Sequence, residues 1–159
     1  MGQPLSIRAE IGQYLPSWRP GADYRQTVSA KSELGGGVLL ELSHEFDYLR
    51  WLFGDVEWVS AGCFNQSDLD IDVEDTVHVL LGFSLASGKS KLIASLNMDF
   101  LRHDTSRVCT VIGDKGTLRW NALQGKVEFF EKGGDIWTTL FEHKHQRDDS
   151  YRAEWQHFI

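Results

Sequence analysis

The segment that most constrains the fold is Gly35-Gly36-Gly37-Val38-Leu39-Leu40-Glu41-Leu42-Ser43-His44-Glu45-Phe46-Asp47-Tyr48-Leu49-Arg50-Trp51-Leu52-Phe53-Gly54. It reads as a glycine turn, about four turns of helix and a glycine stop. At about 100° per residue, Val38, Leu42, Phe46, Leu49 and Phe53 fall on one arc, with Leu39 and Leu52 on its edges. Glu41, His44, Asp47, Tyr48 and Trp51 fall on roughly the opposite arc. An apolar stripe needs a surface to pack against. It does not need a carboxylate, an imidazole and a phenol behind it, so that second face is a candidate wall of a reaction site.

The surface it packs on is a sheet. Pro4 to Tyr14 alternates as a strand, and a long loop, Leu15 to Ser32, is broken by Pro16 and Pro20. After Gly54 come strand-like runs at Val56–Asn65, Thr76–Leu85, Lys89–Phe100, Ser106–Gly113, Thr117–Asn121, Lys126–Glu131 and Ile136–Glu142. They are rich in β-branched and aromatic residues and bounded by Gly, Asp or Ser. The links Ala86-Ser87-Gly88, Gly113-Asp114-Lys115-Gly116 and Lys132-Gly133-Gly134-Asp135 are short and glycine-bearing, as in antiparallel hairpins. Asp149 to Ile159 begins a helix. The expected class is α+β: a large, open-faced, mostly antiparallel sheet with one helix, about 38–53, packed on one face. Six Trp suit a broad sheet covered on both faces, and 159 residues suit one domain.

Charge and composition exclude several functions. A net charge of −7 with no Lys/Arg block argues against capture of nucleic acid. No run of 18 apolar residues and no basic-then-apolar leader is present, so a cytoplasmic protein with no membrane partner is expected. Cys63 and Cys109 stand apart and read as buried small hydrophobes in a reducing compartment. The acidic run Asp68, Asp70, Asp72, Glu74, Asp75 fails as an EF-hand loop, because Val73 and Val79 stand where Gly and Glu are required. It reads as a solvated turn, and no metal is expected. Ser43 and Ser60 lack a facing His-Asp arrangement, so acyl transfer is set aside.

Several further segments match one known pattern in order and spacing. They are Gly2-Gln3-Pro4-Leu5, Tyr14-Leu15-Pro16-Ser17-Trp18-Arg19-Pro20, Gly35 through Gly54, and Val73-Glu74-Asp75-Thr76. Asn97-Met98-Asp99-Phe100, Val111 through Leu118, and Glu154-Trp155-Gln156-His157-Phe158 complete the set. Together they resemble the C-terminal domain of the glucose-fructose oxidoreductase / inositol dehydrogenase / MocA family. The resemblance implies a two-domain enzyme that uses NAD or NADP and oxidises a sugar, sugar derivative or cyclic polyol. No Gly-x-Gly-x-x-Gly follows a strand here, and the family's Glu-Lys-Pro segment is absent. Residues 1–159 are therefore expected to be a single truncated substrate-binding and oligomerisation domain. Alone it would be inert and bind no cofactor, with the Rossmann domain missing. A homodimer or tetramer through the sheet face is expected, since one helix cannot cover both sides of so large a sheet.

By the same resemblance His44 matches the family's helix-borne histidine and Glu41 its preceding carboxylate. The family usually has Asp and leaves three residues between acid and histidine, whereas this chain leaves two. A histidine has the pKa to take a hydroxyl proton near neutral pH. The bland alternative is a satisfied helix histidine and a solvated glutamate. Asp47 and Tyr48 are candidates for holding sugar hydroxyls, or else a cap or surface pair. Tyr14, Trp18, Arg19 and Arg25 are candidates for an aromatic floor and anion clamp, or else a loop pinned by its own aromatics. Arg102 ends a strand in a segment resembling the family's substrate-side loop. The competing class is a non-catalytic sugar-binding or dimerisation module.

Overall fold

In β1 (Pro4–Gly12) Ile7 and Ala9 are buried while Arg8 and Glu10 are exposed, the alternation of a strand covered on one face. The structure, a computed structural model, describes residues 1–84, 91–144 and 148–159. The expected hairpin link Ala86-Ser87-Gly88 lies outside the described residues. The other strands are β2 (Val56–Phe64), β3 (Thr76–Ser84), β4 (Lys91–Asp99) and β5 (Ser106–Gly113). β6 (Gly116–Asn121), β7 (Lys126–Glu131) and β8 (Trp137–Glu142) complete them. They form one sheet in the order β2-β3-β4-β1-β5-β6-β7-β8. Every neighbouring pair is antiparallel except β1 and β4, which run parallel. A parallel neighbour cannot be reached by a hairpin. The chain leaving β1 therefore crosses one face through four short 3-10 turns and the helices before β2, β3 and β4 bring it back.

The expected single helix is two. α1 (Val38–Glu41) and α2 (His44–Phe53) meet at Leu42–Ser43, where Ser43 N donates to Leu40 O, Glu45 N to Leu42 O and Phe46 N to Ser43 O. Those are i-to-i−3 bonds, a tightened turn. Val38, Leu42 and Leu49 are buried against Ile7, Ala9, Val77, Leu96, Cys109 and Val111. Phe46, expected in the buried stripe, is only half-buried, and Glu45 takes the core position instead. Phe53 packs on Phe83 at 6.2 Å between centroids.

The entry to this helix pair is built by the Glu74-Asp75 dipeptide. Leu39 N donates to Glu74 Oε1 at 2.8 Å and Val38 N to the Glu74 carbonyl at 3.2 Å, which caps α1. Asp75 is fully buried and accepts from Gln66 N, Ser67 N, Ser67 Oγ and Thr76 Oγ1. Asp72 likewise accepts from Ser32 N and Oγ. Three of the five acids of the expected solvated turn, Asp72, Glu74 and Asp75, thus form a structural hinge between loop and sheet.

On the face away from α2 the sheet carries a polar row, Ser60–Leu80–Ser95–Arg8–Thr110–Arg119–Glu128–Thr139, read across the strand register. Beside it runs Trp58–Gly82–Ile93–Ser6–Ile112–Thr117–Phe130–Trp137. Trp58, Leu80, Ile93 and Trp137 are exposed there. Cys63, expected buried, is exposed because β2 is an edge strand left open on both faces; Cys109 is buried. α3 (Asp149–Phe158) exposes Tyr151, Trp155 and Phe158. Among the described residues no helix is long and apolar enough to cross a membrane.

Candidate active site

The first turn of α2 carries the candidate site because it faces the end of β5. Arg107, Cys109 and Val111 alternate onto the face beneath α2. Arg107 Nη2 reaches Glu45 Oε1 at 2.8 Å, and the same oxygen lies 3.3 Å from His44 Nε2. The Arg107 guanidinium sits over the Trp120 ring at 5.4 Å, and Tyr48 meets that indole edge-on, also at 5.4 Å. The Tyr48 hydroxyl lies beside Glu45 and Cys109 and interacts with both. Between α2 and the sheet runs a connected set: His44, Glu45 and Tyr48 from α2, Arg107 and Cys109 from β5, and Trp120 from β6.

The electrostatics follow from burial. Burial first, and the Arg107 charge second, hold His44 below the usual imidazole range, while the Glu41 charge acts in the opposite direction. His44 is thus neutral near pH 7, with a lone pair to accept a proton. Burial pushes the Glu45 carboxyl up, and Arg107 and the Tyr48 hydroxyl pull it back. Burial, with Cys109 and Glu45 as neighbours, raises the Tyr48 phenol. Cys109 is pushed up to about 11, chiefly by burial, so it is no nucleophile at neutral pH.

Beside this set lies a cavity of about 240 Å³ whose walls include Gln13, Trp18, Leu42, Ser106 and Arg107. The Trp18 indole N–H donates to Gln13 O at 3.1 Å, and its ring meets Phe100 edge-on at 5.2 Å. Trp18, pinned at both ends, is therefore a fixed wall of the cavity.

The remaining candidates are distributed differently. Glu41 accepts from Ser29 Oγ at 2.6 Å, which ties α1 to the loop. Its carboxylate acts on His44 only through space. Asp47 is exposed and Tyr48 half-buried. Tyr14 stacks on His103 at 4.3 Å, next to the cavity residue Gln13. Arg19 borders, with Tyr24 and Ser29, a space of about 10 Å³, too small for a sugar. Arg25 is held by Asp23 through two 2.8 Å bonds and lies near Asp70, away from the cavity. Arg102 pairs with Asp104 and with Glu10. Glu10 points to the sheet face opposite α2, so the structure draws Arg102 away from His44.

Sequence reading by residue type passed over Glu45 and Arg107. Glu45 was detectable: on an ideal wheel it lies about 20° from Val38, inside the apolar arc. A carboxylate there needs a buried partner. Arg107 had no local signal, since only the sheet register brings it under α2.

The triple glycine offers no pyrophosphate cradle. A Cβ on Gly36 would lie 2.2 Å from the Val28 carbonyl oxygen, and one on Gly37 would lie 2.5 Å from the Glu74 carboxylate. The space is filled by the chain's own backbone and by a negative charge. Gly36 and Gly37 do not fit a pyrophosphate.

A helix-borne histidine above a mostly antiparallel sheet, beside a Trp-walled cavity, belongs here to a domain of α+β class. Residues 1–119 match the GFO/IDH/MocA C-terminal domain, and the chain belongs to that family. Among solved structures it is similar to a UDP-N-acetylglucosamine 3-dehydrogenase from Acidithiobacillus ferrooxidans, with TM-score 0.70 and 16% identity, over 99% of this chain and 44% of that one. A levoglucosan dehydrogenase in complex with NADH gives TM-score 0.69 and 19% identity, over 88% of this chain and 40% of that one. A biliverdin reductase from Synechocystis, in complex with biliverdin and NADP+, gives 0.62 and 18%, over 91% and 42%. The chain spans less than half the length of each. A search of curated protein sequences found no match.

Proposed function

We propose that this chain is the substrate-binding and assembly domain of an NAD(P)-dependent oxidoreductase acting on a sugar, sugar derivative or cyclic polyol. The observation that carries the reading is His44, half-exposed and held neutral, near a cavity with Trp18 and Arg107 in its wall. His44 accepts the proton of a substrate hydroxyl. Trp18 supplies the flat apolar surface on which a pyranose or cyclitol ring stacks, with Tyr14 at the cavity edge. Asp47 continues the exposed face of α2 toward substrate hydroxyls, and Tyr48, packed on Trp120, borders that face.

A nicotinamide supplies hydride acceptance. Because Gly36 is closed by the Val28 carbonyl and Gly37 by the Glu74 carboxylate, residues 1–159 are in this reading the truncated C-terminal domain, and a Rossmann domain beyond them carries the NAD or NADP. The isolated domain is inactive. The exposed Trp58, Leu80, Ile93 and Trp137 on the far sheet face support a homodimer or tetramer there. Two free thiols fit a cytoplasmic location.

The levoglucosan and UDP-N-acetylglucosamine dehydrogenases favour a carbohydrate, and the biliverdin reductase sets the contrast. The test is nicotinamide reduction by the full-length protein against sugars, cyclitols and bilins. Turnover with a cyclic polyol or sugar is expected. Turnover with bilins alone would overturn the substrate class. NAD or NADP bound by residues 1–159 more tightly than about 1 mM, some −4 kcal/mol, would overturn the division of labour.

A further inference from the structure

Glu45 is 1% exposed, yet it stands on the core face of α2 between Leu42 and Leu49. A buried carboxylate is kept ionised only by a partner, and here that partner is Arg107, 2.8 Å away and lodged over Trp120. An apolar residue would fill the same place at no desolvation cost. Oε1 nevertheless faces two donors, Arg107 Nη2 and His44 Nε2. Both contacts are ion pairs, and neither meets hydrogen-bond angles, so Oε1 is buried without a well-aligned donor; Arg107 Nε is buried without a partner as well. The other acid near His44 is engaged elsewhere, because Glu41 holds the Ser29 hydroxyl. The charges acting on the imidazole are Arg107 from β5 and Glu41 from α1, with Glu45 of α2 3.3 Å from Nε2; Tyr48 from α2 and Cys109 from β5 face Glu45. Tyr48 and Cys109 stay protonated at neutral pH, which leaves Glu41, Glu45 and Arg107 as the charges that set the ring.

We propose that Glu45, locked by Arg107, is the positioning residue that fixes the tautomer and proton affinity of His44. This rests on the reading of His44 as the proton acceptor. A carboxylate 3.3 Å from Nε2 places the ring proton there and leaves the lone pair on Nδ1. Nδ1 is then the nitrogen that takes the substrate hydroxyl proton. The imidazolium formed keeps its Nε2–H toward Oε1, and its positive charge strengthens that contact to the carboxylate.

The test is ring-nitrogen NMR of the labelled 159-residue chain, which reports tautomer and titration without any turnover. The wild-type ring is expected as the Nε2–H tautomer. In Glu45→Gln and Glu45→Leu the His44 midpoint should fall by about one pH unit, because a facing negative charge is lost while Arg107 stays. The Leu variant should also lose the tautomer preference. Leucine suits the buried position, so it decides the matter if the Gln variant does not fold. Predominance of the Nδ1–H tautomer in the wild type would overturn the proposal. So would an unmoved midpoint in a folded variant. If His44 proves dispensable for turnover in the full-length enzyme, the functional reading fails while the tautomer result stands, so the two failures are separable.

Discussion

Replacing Asp75 by alanine removes the acceptor for four donors at once: Gln66 N at 3.0 Å, Ser67 N at 2.8 Å, Ser67 Oγ at 2.6 Å and Thr76 Oγ1 at 2.9 Å. The two hydroxyls rotate toward other acceptors, but the two backbone N–H groups are fixed by the turn. Each then costs about 1–1.5 kcal/mol as an unsatisfied, partly buried donor. The expected loss is about 3 kcal/mol, a large share of the roughly 5–15 kcal/mol that holds a domain together. In urea, with a slope of about 2 kcal/mol/M, that moves the midpoint by roughly 1.5 M at unchanged slope. The pH dependence is a second check. Burial would raise the Asp75 carboxyl, but the hydrogen bonds from Ser67, Gln66 and Thr76 hold it below the usual aspartate value. Its stabilisation is therefore fully present above the unfolded value of about 3.9 and lost as pH falls through the lower folded value. The gap between wild type and Asp75→Ala should close in that acid window. A loss under about 1 kcal/mol at neutral pH would refute the hinge role.

Leu49→Ala should cost about 2–5 kcal/mol by opening a cavity between α2 and the sheet, read by denaturant midpoint. Gly36→Ala should destabilise by about 1–3 kcal/mol in a thermal melt, because the new Cβ meets the rigid Val28 carbonyl. Ile93→Lys on the far sheet face should convert a dimer or tetramer to monomer at unchanged circular dichroism. Light scattering that showed a wild-type monomer at micromolar concentration would remove that interface.

The eight strands and the helix-on-sheet arrangement were legible because each strand alternates or is bounded by turn residues, as at Pro4–Gly12 and Ser106–Gly113. The parallel pairing of β1 with β4 was not, since register between strands 80 or more residues apart leaves no local mark. The break at Leu42–Ser43 was hidden as well. A tightened turn needs no glycine or proline, and the apolar spacing passes through it unbroken. His44 was legible as a polar residue on the helix face away from the stripe. Glu45 was masked by the habit of sorting charge to the outside, although its wheel position put it inside. Arg25 and Arg102 were legible as candidate anion ligands by type; their pairing was legible only for the neighbours Asp23 and Asp104, not for Glu10, which the sheet brings to Arg102.

The central claim is that this domain contributes the proton-accepting histidine of an oxidoreductase. Steady-state kinetics of His44→Ala in the full-length protein, beside a thermal melt, tests it most directly. Turnover should fall by roughly two to four orders of magnitude, the range for loss of a general acid or base. The melt should barely move, because His44 lies off the buried stripe. Turnover within a few fold of wild type would contradict the account and take His44 out of the mechanism.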